Sequence, residues 1–299
     1  MIEVRGLSKR FGAVDAVHDL TFEVPPGRVT GFLGPNGAGK TTTLRTLLGL
    51  VRPTGGEALI DGVPYQRLPH PQRVVGAVLE ASSAHPGRRA RDHLRVLAGV
   101  CAAGDRRVAE VLDLVGLGEA AGRRVGGFSL GMRQRLGLAG ALLGDPRVLV
   151  LDEPANGLDP EGVAWLRGLL RDLAADGRTI LVSSHVLSEV AQIADHVVII
   201  SAGRLRYAGP LDGLGAGVVS VRTAQARRLC DLLAGQGCEA TVSDGTGVRV
   251  RGMSAERVGE IAAREAIPLS ALSEEGTSLE AAFLELTKDV EAVQPAIAR

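Results

Sequence analysis

The segment Gly34-Pro-Asn-Gly-Ala-Gly-Lys-Thr-Thr42 follows a mostly apolar run, Arg28–Leu33, and precedes a stretch in which leucines recur at helical spacing. It matches the pattern GxxxxGK[ST], and a strand before it with a helix after it is the context in which this pattern binds phosphate groups. Its glycines allow backbone N–H groups to approach phosphate oxygens, and the start of the helix adds a partial positive charge. The alternative is a glycine-rich turn that merely joins a strand to a helix, and the complete motif in this context argues against it. The segment therefore predicts a phosphate-binding loop on a parallel α/β fold.

The side chains of this loop have different expected roles. Lys40 is expected to bring a positive charge to the β- and γ-phosphate oxygens of ATP, which makes it a candidate catalytic residue. The Thr41 hydroxyl is expected to complete the coordination shell of Mg²⁺. The whole loop is expected to bind the nucleotide, largely through its backbone, and comprises Gly34, Pro35, Asn36, Gly37, Ala38, Gly39, Lys40, Thr41 and Thr42.

Two acidic residues end the apolar run Val148-Leu-Val-Leu-Asp-Glu153, which reads as a buried parallel strand. Ligands of parallel sheets bind at the carboxyl ends of the strands. Asp152 is therefore a candidate Mg²⁺ ligand, directly or through water, and Glu153 is a candidate for orienting or deprotonating the attacking water. The alternative interpretation is that both acids cap the next helix.

Phe128-Ser-Leu-Gly-Met-Arg-Gln-Arg135 lies between the loop and the acidic strand. It resembles the signature motif of the ABC ATPases, usually written LSGGQ. Ser129 and the amide of Gly131 fall at a helix N-terminus, where they can donate to a γ-phosphate. Read alone, the segment is an ordinary helix cap, and its position in the chain favours the signature. The resemblance implies that each ATP lies between the phosphate-binding loop of one subunit and the signature of another.

The resemblance extends along residues 1–210. It implies that Phe11 stacks on the adenine, that Asp159 in Asn156-Gly-Leu-Asp-Pro160 belongs to the loop reaching across the dimer, and that His185 contacts the γ-phosphate. Taken singly, these residues have plainer readings: a core aromatic, a turn, and a structural or solvent-facing histidine.

The sequence departs from the family pattern at several positions. Glu80 stands where most members carry a glutamine, and the resemblance implies that it accepts a hydrogen bond from a Mg²⁺-bound water beside the nucleotide. Leu130 replaces the first glycine of the signature pair, and Met132 replaces its glutamine. Ser129 and Gly131 are retained, so an active enzyme is expected.

The stretch SLGMRQRLGLA at 129–139, Glu80 and the C-terminal LEAAFLELT are similar to one group of bacterial ABC ATPases. This group serves antibiotic resistance and self-protection against bacitracin and lantibiotics. The resemblance implies a separate membrane permease and export of a drug, antibiotic or peptide.

Composition narrows the class of protein further. The cysteines Cys101, Cys230 and Cys238 form no CxxC pair, which argues against a disulfide framework or structural zinc. No window approaches the ~18 uninterrupted apolar residues of a membrane helix. We therefore expect a chain on the cytoplasmic side of the membrane, held there through its permease. The formal net charge of zero gives no footprint for nucleic acid, and none is expected as a partner.

The predicted fold class is α/β, a P-loop NTPase core with an antiparallel β edge on the parallel sheet and an inserted helical subdomain at about 85–145. The ATPase domain is expected over 1–212. A small α+β domain with a dimer-stabilising or regulatory role is expected over 213–287, with a hairpin turn at Asp244-Gly245 and a capping box at Thr277. Residues 288–299 are expected to form a tail.

Two other functions compete with an exporter ATPase. One is an ABC ATPase acting on ribosomes or DNA, but such relatives usually carry two cassettes or long insertions. The other is an ATP-binding sensor without turnover, which Glu153 and His185 argue against. The second subunit is expected to be a second copy of this chain.

Overall fold

The computed structural model describes residues 1–79, 84–214, 218–236, 238–275 and 279–287. Glu80, the capping box at Thr277 and the tail at 288–299 lie outside the described residues. Contacts divide the chain into two compact units, Met1–Ala208 and Gly209–Leu286.

The strands of the first unit form two sheets. Their bounds are β1 Ile2–Phe11, β2 Val14–Val24, β3 Val29–Leu33, β4 Gly55–Ile60, β5 Val75–Val78, β6 Val148–Asp152, β7 Thr179–Ser184, β8 His196–Ser201 and β9 Arg204–Pro210. One sheet has the order β5-β6-β7-β3-β8-β9, and its first five strands pair in parallel. The antiparallel strands form a sheet in the order β2-β1-β4. The α/β class with a parallel core is confirmed.

The helices of the first unit surround these sheets. Their bounds are α1 Lys40–Leu47, α2 Pro71–Val74, α3 Ala90–Cys101, α4 Asp105–Leu114, α5 Leu130–Leu142, α6 Pro160–Ala175 and α7 Leu187–Ala191. The leucine spacing after the loop predicts a helix to about Leu50, but α1 ends at Leu47. Gly49 adopts φ +69°, and the N–H groups of Leu50 and Val51 turn back to the Arg45 carbonyl, which closes the helix earlier.

The core of the first unit joins both sheets to α1. Phe22 of the antiparallel sheet stacks on Phe32 of β3 with ring centroids 5.5 Å apart, and Leu44 of α1 is fully buried in the same cluster. All residues of β3 and β7 are buried, as expected for central parallel strands covered on both faces. Most of the predicted functional residues lie at the carboxyl ends of these central strands or directly after them.

The second unit contains a β-α-β-β-α-β arrangement. Its elements are β10 Val218–Arg222, α9 Ala226–Ala234, β11 Glu239–Ser243, β12 Gly247–Arg251, α10 Ala255–Arg264 and β13 Ala271–Glu275, with short helices α8 Leu211–Leu214 before and α11 Leu279–Thr287 after. The sheet is antiparallel in the order β11-β12-β10-β13, a ferredoxin-like topology. Asp244 (φ 31°) and Gly245 (φ 79°) form the hairpin turn as predicted. The sequence analysis missed β13 and, in the first unit, β4, β5 and β9.

Candidate functional site

Three neighbouring parallel strands end at one edge of the large sheet. Leu33 of β3 pairs in register with Ser184 of β7, and Ser183 of β7 pairs with Asp152 of β6. The predicted phosphate-binding loop, the two acids and His185 follow these strands directly in sequence. Parallel pairing therefore brings together groups that lie more than a hundred residues apart in the chain.

The phosphate-binding loop turns sharply before α1. Gly37 adopts φ +80° and Gly39 φ +102°, and a Cβ at Gly39 would collide with the carbonyl oxygen of Ala16. Only glycine takes such a conformation without strain. No side chain caps α1, and its first turn contains no acidic residue. The N–H groups at this helix end are therefore the kind of positive terminus that binds phosphate.

Lys40 lies within the loop and is only 6% exposed. Its ammonium donates to the carbonyl oxygens of Gly34 at 2.7 Å and Pro35 at 3.3 Å. Burial lowers the pKa of Lys40 below its ordinary value, while the charges of Glu153 and Asp152 act in the opposite direction. The two carboxylates thus lie near enough to favour the charged ammonium.

Asp152 is bound on both of its carboxylate oxygens. The Thr41 hydroxyl donates to Oδ2 at 2.8 Å, and the Ser183 hydroxyl donates to Oδ1. Ser183 is fully buried and also accepts from the backbone N–H of Glu153 at 2.9 Å. Ser183 was missed at the sequence level, although its place two residues before His185 at a strand end marked it. It fixes Asp152 and Glu153 relative to each other.

Glu153 has a strained backbone and a doubly engaged carboxylate. It adopts φ +47°, which is uncommon for a residue other than glycine. Its Oε2 accepts from Asn156 Nδ2 at 2.5 Å and lies 3.1 Å from His185 Nδ1. The alternative reading that Asp152 and Glu153 cap the next helix is wrong, because Asp159 caps α6 by accepting from Gly162 N–H at 2.8 Å.

The other predicted site residues are found on α5, on β1 and in the segment before α6. Ser129 is the N-cap of α5, and its hydroxyl oxygen accepts from Met132 N–H at 3.2 Å. Gly131 lies against Leu158, beside Asp159. Phe11 lies at the end of β1, half exposed, with the Lys9 ammonium 4.6 Å above its ring. No position is described for Glu80.

Among the described residues, no group of three or more His, Cys, Asp or Glu side chains could hold a metal ion. The described helices also include none that is both long and apolar enough to cross a membrane. A glycine-rich turn before an uncapped helix, a buried lysine, and a hydroxyl–carboxylate pair at the end of parallel strands define a P-loop nucleotide-binding protein.

Comparison with known proteins narrows this class. The family described as ABC transporter matches residues 17–156, and a domain of unknown function (DUF8746) matches residues 217–280. The chain is 43% identical to the bacitracin transport ATP-binding protein BcrA of Bacillus licheniformis, over 72% of this chain and 71% of that one. It is 36% identical to the lantibiotic transport ATP-binding protein SrtF of Streptococcus pyogenes, over 71% of this chain and 92% of that one.

Solved structures agree on the fold. An ATP-binding subunit of an ABC transporter superposes with a TM-score of 0.66 at 27% identity, covering 88% of this chain and 99% of that one. A dimeric post-hydrolysis state of the ATP-binding cassette MJ0796, bound to ADP and Pi, superposes with a TM-score of 0.64 at 22% identity, covering 70% and 98%.

This chain belongs to the ABC transporter family, as one of its ATP-binding and ATP-hydrolysing subunits.

Proposed function

We propose that this chain hydrolyses ATP in sites shared between two copies and thereby drives a separate membrane permease that exports a drug, antibiotic or peptide. The observation that carries the proposal is the gathering of Lys40, Thr41, Asp152, Glu153 and His185 at one sheet edge. These side chains supply a charge for the phosphates, a hydroxyl and a carboxylate for a cation, a base, and a histidine beside the base.

The donor set fits Mg²⁺. The Thr41 hydroxyl oxygen and Asp152 Oδ2 lie 2.8 Å apart, and both are hard oxygen donors of the kind Mg²⁺ prefers. Mg²⁺ is commonly held by one or two protein side chains together with substrate phosphates, so a cluster of three acidic ligands is not required. When bound, the ion neutralises charge that develops on the β- and γ-phosphates. Glu80 is proposed to accept from one of its waters.

In the proposed reaction, Glu153 orients the attacking water and accepts its proton, and Lys40 stabilises negative charge on the γ-phosphate. The contact with Glu153 requires His185 Nδ1 to carry the proton, because a carboxylate oxygen only accepts hydrogen bonds. His185 is thereby proposed to hold the base and to contact the γ-phosphate.

The proposed partner of each phosphate-binding loop is the signature helix of a second copy. Ser129 and Gly131 would donate to the γ-phosphate, Asp159 would reach across the dimer, and Phe11 would stack on the adenine. The half-exposed side chains of Leu130 and Phe11 are consistent with surfaces that become covered. The cassette MJ0796 forms a dimer, which supports the same assembly here.

A large apolar cavity in the first unit supports the permease proposal. Its volume is about 770 Å³, and it lies between α1, β5 and α3, reaching Leu79 beside the position of Glu80. Leu50 and Val100 line it and are 66% and 63% exposed. We propose that a short apolar helix on the cytoplasmic face of the permease covers these side chains and holds the chain at the membrane.

Permease docking can be tested separately from catalysis. In membranes containing the permease, Val100→Glu should abolish stimulation of ATP hydrolysis by the permease while leaving the basal rate unchanged. Leu114→Glu is a matched control, because Leu114 is likewise an exposed apolar residue near the end of a helix but does not line the cavity. Equal loss of stimulation in both variants would exclude the cavity as the docking surface.

The proposed cargo class comes from the relatives, which are named for transport of bacitracin and of a lantibiotic.

For the unit Gly209–Leu286 we propose a dimer-stabilising or regulatory role. Its removal should weaken ATP-dependent dimers or change hydrolysis, and a truncated chain with unchanged dimerisation and rate would end that proposal.

The shared site is tested by mixing two inactive variants. Lys40→Ala inactivates the loop, and Ser129→Asp inactivates the signature by placing a carboxylate next to the γ-phosphate, although aspartate still caps a helix well. Each variant alone should be inactive. The mixture should recover about a quarter of the wild-type rate, because half the dimers are mixed and each contains one intact site. No recovery, with mixed dimers demonstrated by crosslinking, would show that the sites are not shared.

A further inference from the structure

We infer that Asn156 is a positioning residue for Glu153, and that Gln134 of the signature helix holds Asn156 in place. The inference rests on the proposed function, in which Glu153 is the base. The family resemblance does not assign a role to either residue. Together they connect the helix that begins at Ser129 to the base in the same chain.

The first contact is at the carboxylate. Asn156 Nδ2 donates to Glu153 Oε2 at 2.5 Å, and His185 Nδ1 lies 3.1 Å from the same oxygen. Two donors on one oxygen fix the plane of the carboxylate and leave Oε1 for the attacking water. The Asn156 N–H also donates to the Glu153 carbonyl at 3.1 Å, which closes a tight turn around the strained backbone of Glu153.

The second contact is at the Asn156 backbone. Gln134 is only 6% exposed, and its Nε2 donates to the Asn156 carbonyl oxygen at 3.2 Å. Because Gln134 lies in the middle of α5, this bond crosses from the signature helix to the loop after β6. A buried amide that lost this partner would be left unsatisfied, so the bond resists separation of helix and loop.

Packing reinforces the same connection. Gly157 adopts φ +77°, and a Cβ at this position would collide with the Leu130 side chain. A Cβ at Gly131 would lie 3.3 Å from Leu158 Cδ2, so this glycine also packs closely against the loop. The first turn of α5 therefore rests directly on the loop that contains Asn156, and Leu130, which departs from the family glycine, makes this contact.

The consequence is that a shift of the signature helix moves the donor on Glu153. In the proposed dimer Ser129 touches the nucleotide of one site, whereas Asn156 orients the base of the other site. Gln134 and Asn156 would then make the base of one site sensitive to whether the other site holds ATP.

The experiment is a double-mutant comparison on the full chain. Asn156→Ala should lower kcat about tenfold, the effect expected for a lost bond to a charged group, with KM for ATP unchanged. Asn156→Ser, which keeps a donor, should recover part of the loss. Gln134→Met, close in shape but unable to donate, should lower kcat less, and Gln192→Met, an exposed glutamine near α7, should have no effect.

The Glu153→Gln background separates positioning from general damage. If Asn156 acts through Glu153, Asn156→Ala should cause no further loss of the residual rate in that background. The double variant should also form the same ATP-dependent dimer as Glu153→Gln alone, measured by light scattering. A tenfold additive loss, or loss of the dimer, would overturn the inference. The proposed function is judged separately, by whether Glu153→Gln itself strongly lowers hydrolysis while leaving a measurable residual rate.

Discussion

Two helix N-termini in the first unit have opposite chemistry. The first, at Lys40, follows Gly39 in a left-handed conformation and has no side-chain cap. The second, at Leu130, is capped by Ser129, whose hydroxyl oxygen accepts from Met132 N–H. The N-terminus of α1 therefore has backbone N–H groups that no side-chain cap satisfies, whereas at the N-terminus of α5 the Ser129 hydroxyl satisfies one of them.

The difference suggests how a site could be divided between two copies. An uncapped helix end after a glycine-rich turn can bind phosphates with its backbone alone, and Lys40 adds the charge. A serine cap still has its hydroxyl proton to donate, so Ser129 can hold its own helix and bind a second group. In the proposed dimer, the first end would contribute most of the electrostatic stabilisation, and the second would contribute one donor and a helix dipole.

The largest expected effect is at the first helix end. Lys40→Met should lower kcat/KM about a hundred- to a thousandfold, because a preorganised charge on the phosphates is removed from a buried loop. The measurement is phosphate release against ATP concentration. Arg106→Met is the control, since Arg106 is an exposed cation of α4 that pairs with Glu110 outside the loop. Comparable losses in both variants would contradict the assigned role of Lys40.

The next effect is at the second helix end. Ser129→Asp should lower hydrolysis about a hundredfold by repulsion of the γ-phosphate, with the melting temperature retained because aspartate is a good N-cap. ATP binding by the monomer, followed with a fluorescent nucleotide, should be unchanged. If Ser129→Asp weakened ATP binding by the monomer as much as Lys40→Met does, the proposal that the two helix ends serve different copies would be contradicted.

A smaller effect is expected from pH. Nucleotide binding needs the charged form of Lys40, and burial lowers its pKa from the ordinary lysine value of 10.5. Affinity should therefore be complete at neutral pH and fall as pH rises, with a midpoint below 10.5. Titration of fluorescent nucleotide binding in wild type and Arg106→Met should give the same midpoint, with circular dichroism confirming that the chain stays folded. A midpoint at or above 10.5 would contradict the burial effect.

The smallest expected effect is found by comparing two serine residues that each cap the N-terminus of a helix. Ser129→Ala and Ser254→Ala each remove an N-cap, since Ser254 accepts from Arg257 N–H at 3.3 Å at the start of α10. Each should cost about 1 kcal/mol of local stability, measured by hydrogen exchange of its helix. Only Ser129→Ala should also slow hydrolysis. A decrease with Ser254→Ala would assign the second unit a part in turnover.

Much of the site could be predicted from the sequence because its motifs are contiguous. The phosphate-binding loop, the acidic strand end and the Ser129 cap each depend on residues within a short segment, and the strand or helix at each is confirmed. Asn156 was noted only as part of a loop. Its bond to Glu153 depends on a backbone turn at φ +47° that no local pattern of side chains specifies.

Some structural expectations failed for related reasons. The end of α1 was placed too late because Gly49, with its left-handed backbone, was read as part of the helix. The strands β4, β5, β9 and β13 were missed because their partners, not their composition, define them.

The sequence by itself determined the kind of chemistry. The residues responsible for this chemistry lie in three short segments, Gly34–Thr42, Asp152-Glu153 and Phe128–Arg135. Within each segment, the residue types and their spacing can be read directly from the sequence. Only the tertiary structure decided which atoms meet: Ser183 on Asp152, Asn156 and His185 on Glu153, and Gln134 on the loop between them. Each of these contacts joins different elements or closes a turn, and the order of strands β6-β7-β3 brings their ends to one edge. A hydrogen bond forms only when its donor and acceptor lie about 3 Å apart. Whether two distant residues come that close depends on how the sheet packs, and a local sequence motif does not specify this packing.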